Sequence, residues 1–136
     1  LLLSSAASDV YKRQAINNEP GLYSARYAGV NATDSDNRNK LISKLKDKKL
    51  ESTYAYFFCC IVAVGIKGQN EIIVCDGRIE GEVRTIERGE KGFGYDPMFY
   101  PKGYSESFAE LNSLEKNKIS HRGQALKKLI DKLNKT

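Results

Sequence analysis

One histidine, three prolines and three cysteines are all that 136 residues hold of these types, and each scarcity narrows the chemistry. Cys59, Cys60 and Cys75 fall in apolar, strand-like segments. An odd count without CxxC spacing argues against a disulfide framework or a zinc site and fits a reducing cytoplasm. No Ser-His-acid or Cys-His pattern accompanies the lone His121, which speaks against nucleophilic catalysis. The longest apolar run, about residues 54–66, falls short of the roughly 20 residues a bilayer-spanning helix needs. Internal repeats and low-complexity tracts are missing as well. The length suits one domain with a genuine core and leaves no room for a second.

What is present is a modest excess of positive charge, 22 Lys and Arg against 17 Asp and Glu, or +5. That excess suits an anionic partner such as a nucleotide, a nucleic acid or a membrane surface. Much of it sits in Lys44, Lys46, Lys48 and Lys49 and in Lys127, Lys128, Lys132 and Lys135. Both groups lie where helices are expected to end, so dipole complementation and solubility account for them equally well.

Along the chain, "LLLSSAASDVYKRQ" has no initial Met, no basic residue before its leucines and no periodicity of a regular element. Residues 1–14 are therefore expected to be non-native sequence joined to a protein that begins in earnest at Ala15. Residues 17–29, "NNEPGLYSARYAG", read as a turn and a tightly packed loop. Thr33 is a helix cap, with Asp34 and Asp36 in the first turn. Leu41, Ile42 and Leu45 then give the helix one narrow apolar stripe. Residues 53–66, "TYAYFFCCIVAVGI", read as a central strand buried on both faces. "KGQN" turns the chain into a second strand, residues 71–75. Asp76 and Gly77 carry a two-residue hairpin signal into a third, residues 78–86. A short helix is expected near residues 113–118. A final amphipathic helix runs from about Ser120, with Ala125, Leu126, Leu129, Ile130 and Leu133 on one face. The expected class is α/β, a mixed sheet containing an antiparallel meander, with helices packed on it.

Two stretches carry candidate chemistry. In "GEKGFGYDPMFYPKGYSESFAEL", residues 89–111, two glycines and a proline in six residues exclude a helix and a strand interior. What remains is a loop holding Phe93, Gly94, Tyr95 and Asp96. Phe93, flanked by glycines, can offer its ring face to a flat ligand, and stacking a base on such a ring contributes about 1–3 kcal/mol whatever the base. Asp96, before Pro97, is held extended and can accept hydrogen bonds from ring N–H groups. A glycine-rich turn with Phe and Tyr in the core fits the same residues. In "KNKISHRGQAL", residues 116–126, Lys116, His121 and Arg122 form a donor-rich cluster at a helix start, suited to carbonyl oxygens. A purely structural histidine is the alternative there.

Together "KGFGYDPMF" and "ISHRGQAL", with "PGLYSARYAG" and "NATDSDNRNKLISKL" upstream, resemble the inosine triphosphate pyrophosphatase family, also called non-canonical purine NTP pyrophosphatases or XTP/dITP diphosphatases. The resemblance runs in register from about Ala15 to the C-terminus. It implies a cytoplasmic, homodimeric, Mg²⁺-dependent enzyme that cleaves ITP, dITP and XTP to monophosphate and pyrophosphate and so cleanses the nucleotide pool. Neither membrane nor nucleic acid is implied as a partner. Carried over by position, residues 93–96 line the base pocket with Phe93 stacking on the purine, and Lys116, His121 and Arg122 complete base recognition. A keto oxygen at C6 accepts from Arg122 or Lys116, whereas the amino group of adenine would face a donor with a donor. Such a mismatch costs on the order of 1–3 kcal/mol per unpaired group.

The sequence departs from the family at its start. The Ser/Thr-x-Asn-x-x-Lys phosphate motif and the Asp-Asp-Ser-Gly-Leu segment with its metal-binding aspartate are not found, and "SDVYKRQ" stands in the latter's place. Asp9 matches neither in neighbours nor in spacing. The expectation is that residues 15–136 form the C-terminal two-thirds of such a domain, keep the base pocket without metal ligands or an assignable catalytic residue, and do not hydrolyse nucleotides. The apolar strand is then expected to lose a neighbour and expose an edge. The rival readings are a single-stranded nucleic-acid-binding module using Phe93, Tyr95 and the lysines, and a fragment with weak nucleotide affinity alone.

Overall fold

A computed structural model describes residues 2–6, 21–65 and 70–135 of the chain. Four strands form one sheet in the order β1 (Leu2–Ala6), β2 (Ser52–Val64), β3 (Ile72–Arg84) and β4 (Phe99–Pro101). All three pairings are antiparallel, so the described sheet is a meander throughout and shows none of the parallel pairing that a mixed sheet would have. Among the described residues three α-helices accompany it, α1 (Asp34–Asp47), α2 (Ser113–Ile119) and α3 (His121–Leu133).

The local signals that set α1 act as read. Thr33 accepts from the Asp36 N–H while Asp36 accepts from the Thr33 N–H, a reciprocal capping box. Leu41 and Leu45 are fully buried, with Ile42 packed beside them. Residues 21–26 form a 3-10 turn where a packed loop was expected; residues 17–20 of that stretch lie outside the described residues.

The long strand is central, as its apolar run implies, yet its two faces differ. Ala55, Phe57, Cys59, Ile61 and Ala63 are buried, and α3 packs over part of that face. On the other face Tyr54 is exposed and Phe58, Cys60 and Val62 are half-buried. An unbroken apolar run thus does not mean burial on both sides. Here the outer face is covered in part by a cation, since the Arg78 guanidinium lies 3.9 Å above the Tyr56 ring.

Two expectations fail in informative ways. Asp76 and Gly77 make no hairpin: β3 runs straight through them, pairing Asp76 with Cys60 and Gly77 with Cys59. The glycine serves close approach instead. A Cβ on Gly77 would stand 2.0 Å from the His121 carbonyl oxygen and 2.9 Å from the Ala125 nitrogen, so α3 lies against bare backbone at this point. The expected turn at "KGQN" lies mostly outside the described residues, which break off at 66–69; beside the gap the Gly65 N–H donates to the Glu71 carbonyl at 3.0 Å. In the second failure Leu2–Ala6, where no element was expected, pairs with the end of β2 from Val64 to Cys60. That part of β2 therefore has neighbours on both sides.

On α3, Ala125 and Leu129 enter a core cluster with Cys59, Ile61, Ile73 and Cys75. Leu126 and Ile130 do not; they are 50 % and 48 % exposed. A helix on a sheet buries a narrower stripe than its full apolar face. The second cluster gathers Leu41 and Leu45 of α1 around Phe57, Phe99 and Phe108, with Tyr95 among its members. Phe57 is the hinge of this packing: its ring is stacked on Phe108 at 5.7 Å and meets Phe99 edge-on at 4.5 Å.

Candidate functional site

The two motifs meet where the loop after β3 passes the junction of α2 and α3. Asn112 caps α2 by accepting from the Glu115 N–H, and Ser120 caps α3 by accepting from the Gly123 N–H. The two caps put Lys116 on α2 and His121 and Arg122 on the first turn of α3, facing one hollow. Phe93, Tyr95, Asp96, Lys116, His121 and Arg122 all line it, over a volume of about 100 Å³. Of the seven residues singled out from sequence, only Gly94 stands outside the lining.

Phe93 is 52 % exposed and is no core ring. The Arg122 guanidinium lies 4.6 Å from its centroid and the Lys116 ammonium 5.1 Å. Asp96 is buried, and its Oδ2 accepts from the Phe93 N–H at 3.1 Å and from Lys116 Nζ at 2.6 Å. Those bonds orient both the loop and the lysine. The turn is tight enough to demand Gly92: φ there is +78°, and a Cβ would stand 2.1 Å from Asp96 Oδ2. Tyr95 is buried in the core cluster, its hydroxyl donating to the Ser24 carbonyl at 2.7 Å. The His121 ring is buried and stacks on Phe57 at 4.7 Å, with 7° between planes.

Sequence reasoning missed the groups that stand behind this wall. Phe57, Asn117 and Ser120 also line the hollow. Asp34 and Arg38 of α1 hold the Gly94 peptide groups, and Asn37 between them is buried, accepting from the Ala28 N–H at 2.8 Å and donating to the Ala25 carbonyl at 3.0 Å. The spacing of Asp34 and Arg38, one helical turn apart, was the only sequence signal, and it named no partner.

A larger hollow of about 390 Å³ lies on the outer face of the sheet, among Tyr54, Glu80, Arg84 and Tyr100. Titrations are shifted on that side. The Arg78 pKa is raised, first by its hydrogen bond with Tyr54, and burial raises that of Tyr100. Tyr104 is raised by the hydrogen bond its hydroxyl donates to Glu115. None of Phe93, Tyr95, Asp96, Lys116, His121 and Arg122 lines this hollow. Among the described residues no group of three His, Cys, Asp or Glu side chains could hold a metal ion, and no helix is long and apolar enough to cross a membrane. Asp9 lies outside the described residues.

The sequence profile of the Ham1 family matches residues 12–132. A dITP/XTP pyrophosphatase of Idiomarina loihiensis is 48% identical over 121 residues, which are 89% of this chain and 60% of that protein. One from Clostridium perfringens is 49% identical over 118 residues, 87% of this chain and 57% of its own length. The chain thus spans about three fifths of the length of the curated relatives it matches. Among solved structures, a HAM1 protein from Coxiella burnetii superimposes with a TM-score of 0.85 at 38% identity, over 99% of this chain and 68% of that one. The Staphylococcus aureus Ham1 protein gives 0.82, also at 38% identity, over 96% and 66%.

Proposed function

The chain belongs to the Ham1 family, and from that premise we propose that it carries the base-reading part of a hydrolase acting on non-canonical purine nucleoside triphosphates. The substrates of the complete enzyme are ITP, dITP and XTP, cut to monophosphate and pyrophosphate. Relatives named dITP/XTP pyrophosphatase support the substrate class. The observation that carries the reading is the meeting of an exposed aromatic ring, Phe93, with three donor side chains, Lys116, His121 and Arg122, in one hollow.

The Arg122 guanidinium rests 4.6 Å from the centre of the Phe93 ring, so a base that stacks on that face displaces it. A cation–π contact at a half-exposed site contributes about 0.5–1 kcal/mol, whereas base stacking contributes about 1–3, so the exchange favours the base. Arg122 is then beside the purine edge and donates to a C6 keto oxygen. Lys116 carries three N–H donors, and its bond to Asp96 fixes the ammonium so that another can serve the same oxygen. Adenine presents an amino donor there and leaves these donors unpaired.

Hydrolysis of the triphosphate is expected to use Mg²⁺ to neutralise phosphate charge. Among the described residues no group of side chains fits a metal ion. With neither the phosphate motif nor the paired-aspartate segment in its sequence, the chain as it stands binds the base without turnover, in the cytoplasm. Homodimerisation belongs to the complete enzyme. A single-stranded nucleic-acid module is the weaker reading, because it needs a continuous basic stripe. Here Lys128 pairs with Asp76, Lys132 donates to the Val74 carbonyl and Lys40 to the Tyr27 carbonyl.

The test is a titration with inosine 5′-monophosphate followed by NMR. Saturable shifts at Phe93, Lys116 and Arg122 that vanish in Phe93→Ala are expected. Binding unchanged by that substitution overturns the stacking role, and rapid pyrophosphate release from ITP by the purified chain overturns the claim of no turnover.

A further inference from the structure

Phe93 is half exposed, yet the backbone beneath it is held at every polar group. Its N–H donates to Asp96 Oδ2 at 3.1 Å, and its carbonyl accepts from the Asp96 N–H at 3.2 Å. The next residue is gripped from outside the loop. The Gly94 N–H donates to Asp34 Oδ2 at 2.9 Å, and the Gly94 carbonyl accepts from Arg38 Nη1 at 2.8 Å. Both partners come from one face of α1, four residues apart. Arg38 is itself oriented by a salt bridge from its Nε to Glu87 Oε1, and Asp34 sits in the capped first turn of the helix.

We infer that Asp34 and Arg38 are positioning residues for the aromatic shelf, clamping both polar groups of Gly94 so that the Phe93 ring keeps one orientation. The inference rests on the base-stacking role proposed for Phe93. A half-exposed ring on a glycine-flanked loop would otherwise sample many tilts, and a ligand would bear the cost of ordering it. Side chains that carry formal charge make the stronger hydrogen bonds to backbone groups. A pair pulling on the N–H and the carbonyl of one residue from the same rigid helix fixes the peptide planes on either side of its Cα. Asp96 supplies the other half from within the loop, so helix α1 and the base-reading loop act as one body. Asn37 extends the same body to the 3-10 turn through Ala25 and Ala28.

The test compares Asp34→Ala, Arg38→Met and Arg38→Lys with Asp36→Ala, which weakens the cap of the same helix without touching Gly94, and with Phe93→Ala. Two readouts are taken on each folded variant: amide hydrogen exchange at Gly94 and the dissociation constant for inosine 5′-monophosphate. Asp34→Ala and Arg38→Met are expected to speed Gly94 exchange and to weaken binding by tenfold or more each. Arg38→Lys is expected to recover part of both, and Asp36→Ala to stay within twofold of the parent in binding. If Asp36→Ala weakens binding as much as Asp34→Ala, the effect is general loosening of α1 and the clamp is overturned. Binding within twofold of the parent in Asp34→Ala and Arg38→Met, with Phe93→Ala defective, leaves stacking intact and also overturns the clamp. Unchanged binding in Phe93→Ala removes the shelf itself, and the positioning role with it.

Discussion

Replacing Gly92 by alanine sets a methyl group against the buried carboxylate that organises the site. The added Cβ would stand 2.1 Å from Asp96 Oδ2 and 3.0 Å from its Cγ. Ordinary contact distances of about 3.5 Å leave more than an ångström to be made up. The carboxylate cannot yield that much and keep both the Phe93 N–H and Lys116 Nζ. The side chains of the ion pair are only 7 % and 19 % exposed, Asp96 first, so a broken pair is poorly rescued by water. Removing one partner of a buried pair costs about 3–5 kcal/mol; displacement rather than removal puts the steric share nearer 2–3. Positive φ adds about 1–2 kcal/mol for any L-residue, giving roughly 3–5 in all. Gly103 separates the two contributions, since its φ is +86° and a Cβ there meets nothing within 4 Å. Gly103→Ala should therefore cost only about 1–2 kcal/mol. Urea unfolding followed by circular dichroism, with an unchanged slope, gives both numbers. Equal losses in the two variants would refute the claim that Gly92 is required by the Asp96 carboxylate.

Gly77→Ala should destabilise by about 3 kcal/mol, the upper end for overpacking, because the clash is with the His121 carbonyl at 2.0 Å. Thermal melts check it, and a loss below about 0.5 kcal/mol would mean α3 slides freely on β3. Burial raises the Tyr100 pKa above its ordinary 10.0. The folded state thus keeps a proton that the unfolded chain releases. That contribution is whole below about pH 10 and is lost as pH rises through the folded value. Urea midpoints should fall above about pH 10 less steeply in Tyr100→Phe than in the parent, and parallel curves would contradict the assignment.

Features written in a few consecutive residues were the legible ones. The Thr33 cap and the existence and central place of β2 were read from types and spacing, and the two site motifs meet in one hollow. Asp76 and Gly77 misled because one glycine can mean a turn or a close approach, and only the arrival of α3 from 44 residues downstream decides which. Leu126 and Ile130 misled because helical periodicity names a face but not the width of what covers it. The grip of Asp34 and Arg38 on Gly94 showed in the sequence only as a one-turn spacing that named no partner, since its partners are backbone groups, and every residue has those. Phe93, Lys116 and Arg122 could be named as a set, but not the resting contact of the Arg122 guanidinium with the Phe93 ring.

The central claim is that this hollow reads the C6 position of a purine through donors aimed at a keto oxygen. The most direct measurement is the ratio of dissociation constants for inosine and adenosine 5′-monophosphates on the purified chain, at one salt concentration. Tighter binding of the inosine nucleotide by about 5-fold to 150-fold is expected, corresponding to the roughly 1–3 kcal/mol of one unpaired donor. Equal affinities, or a preference for adenosine, would contradict it.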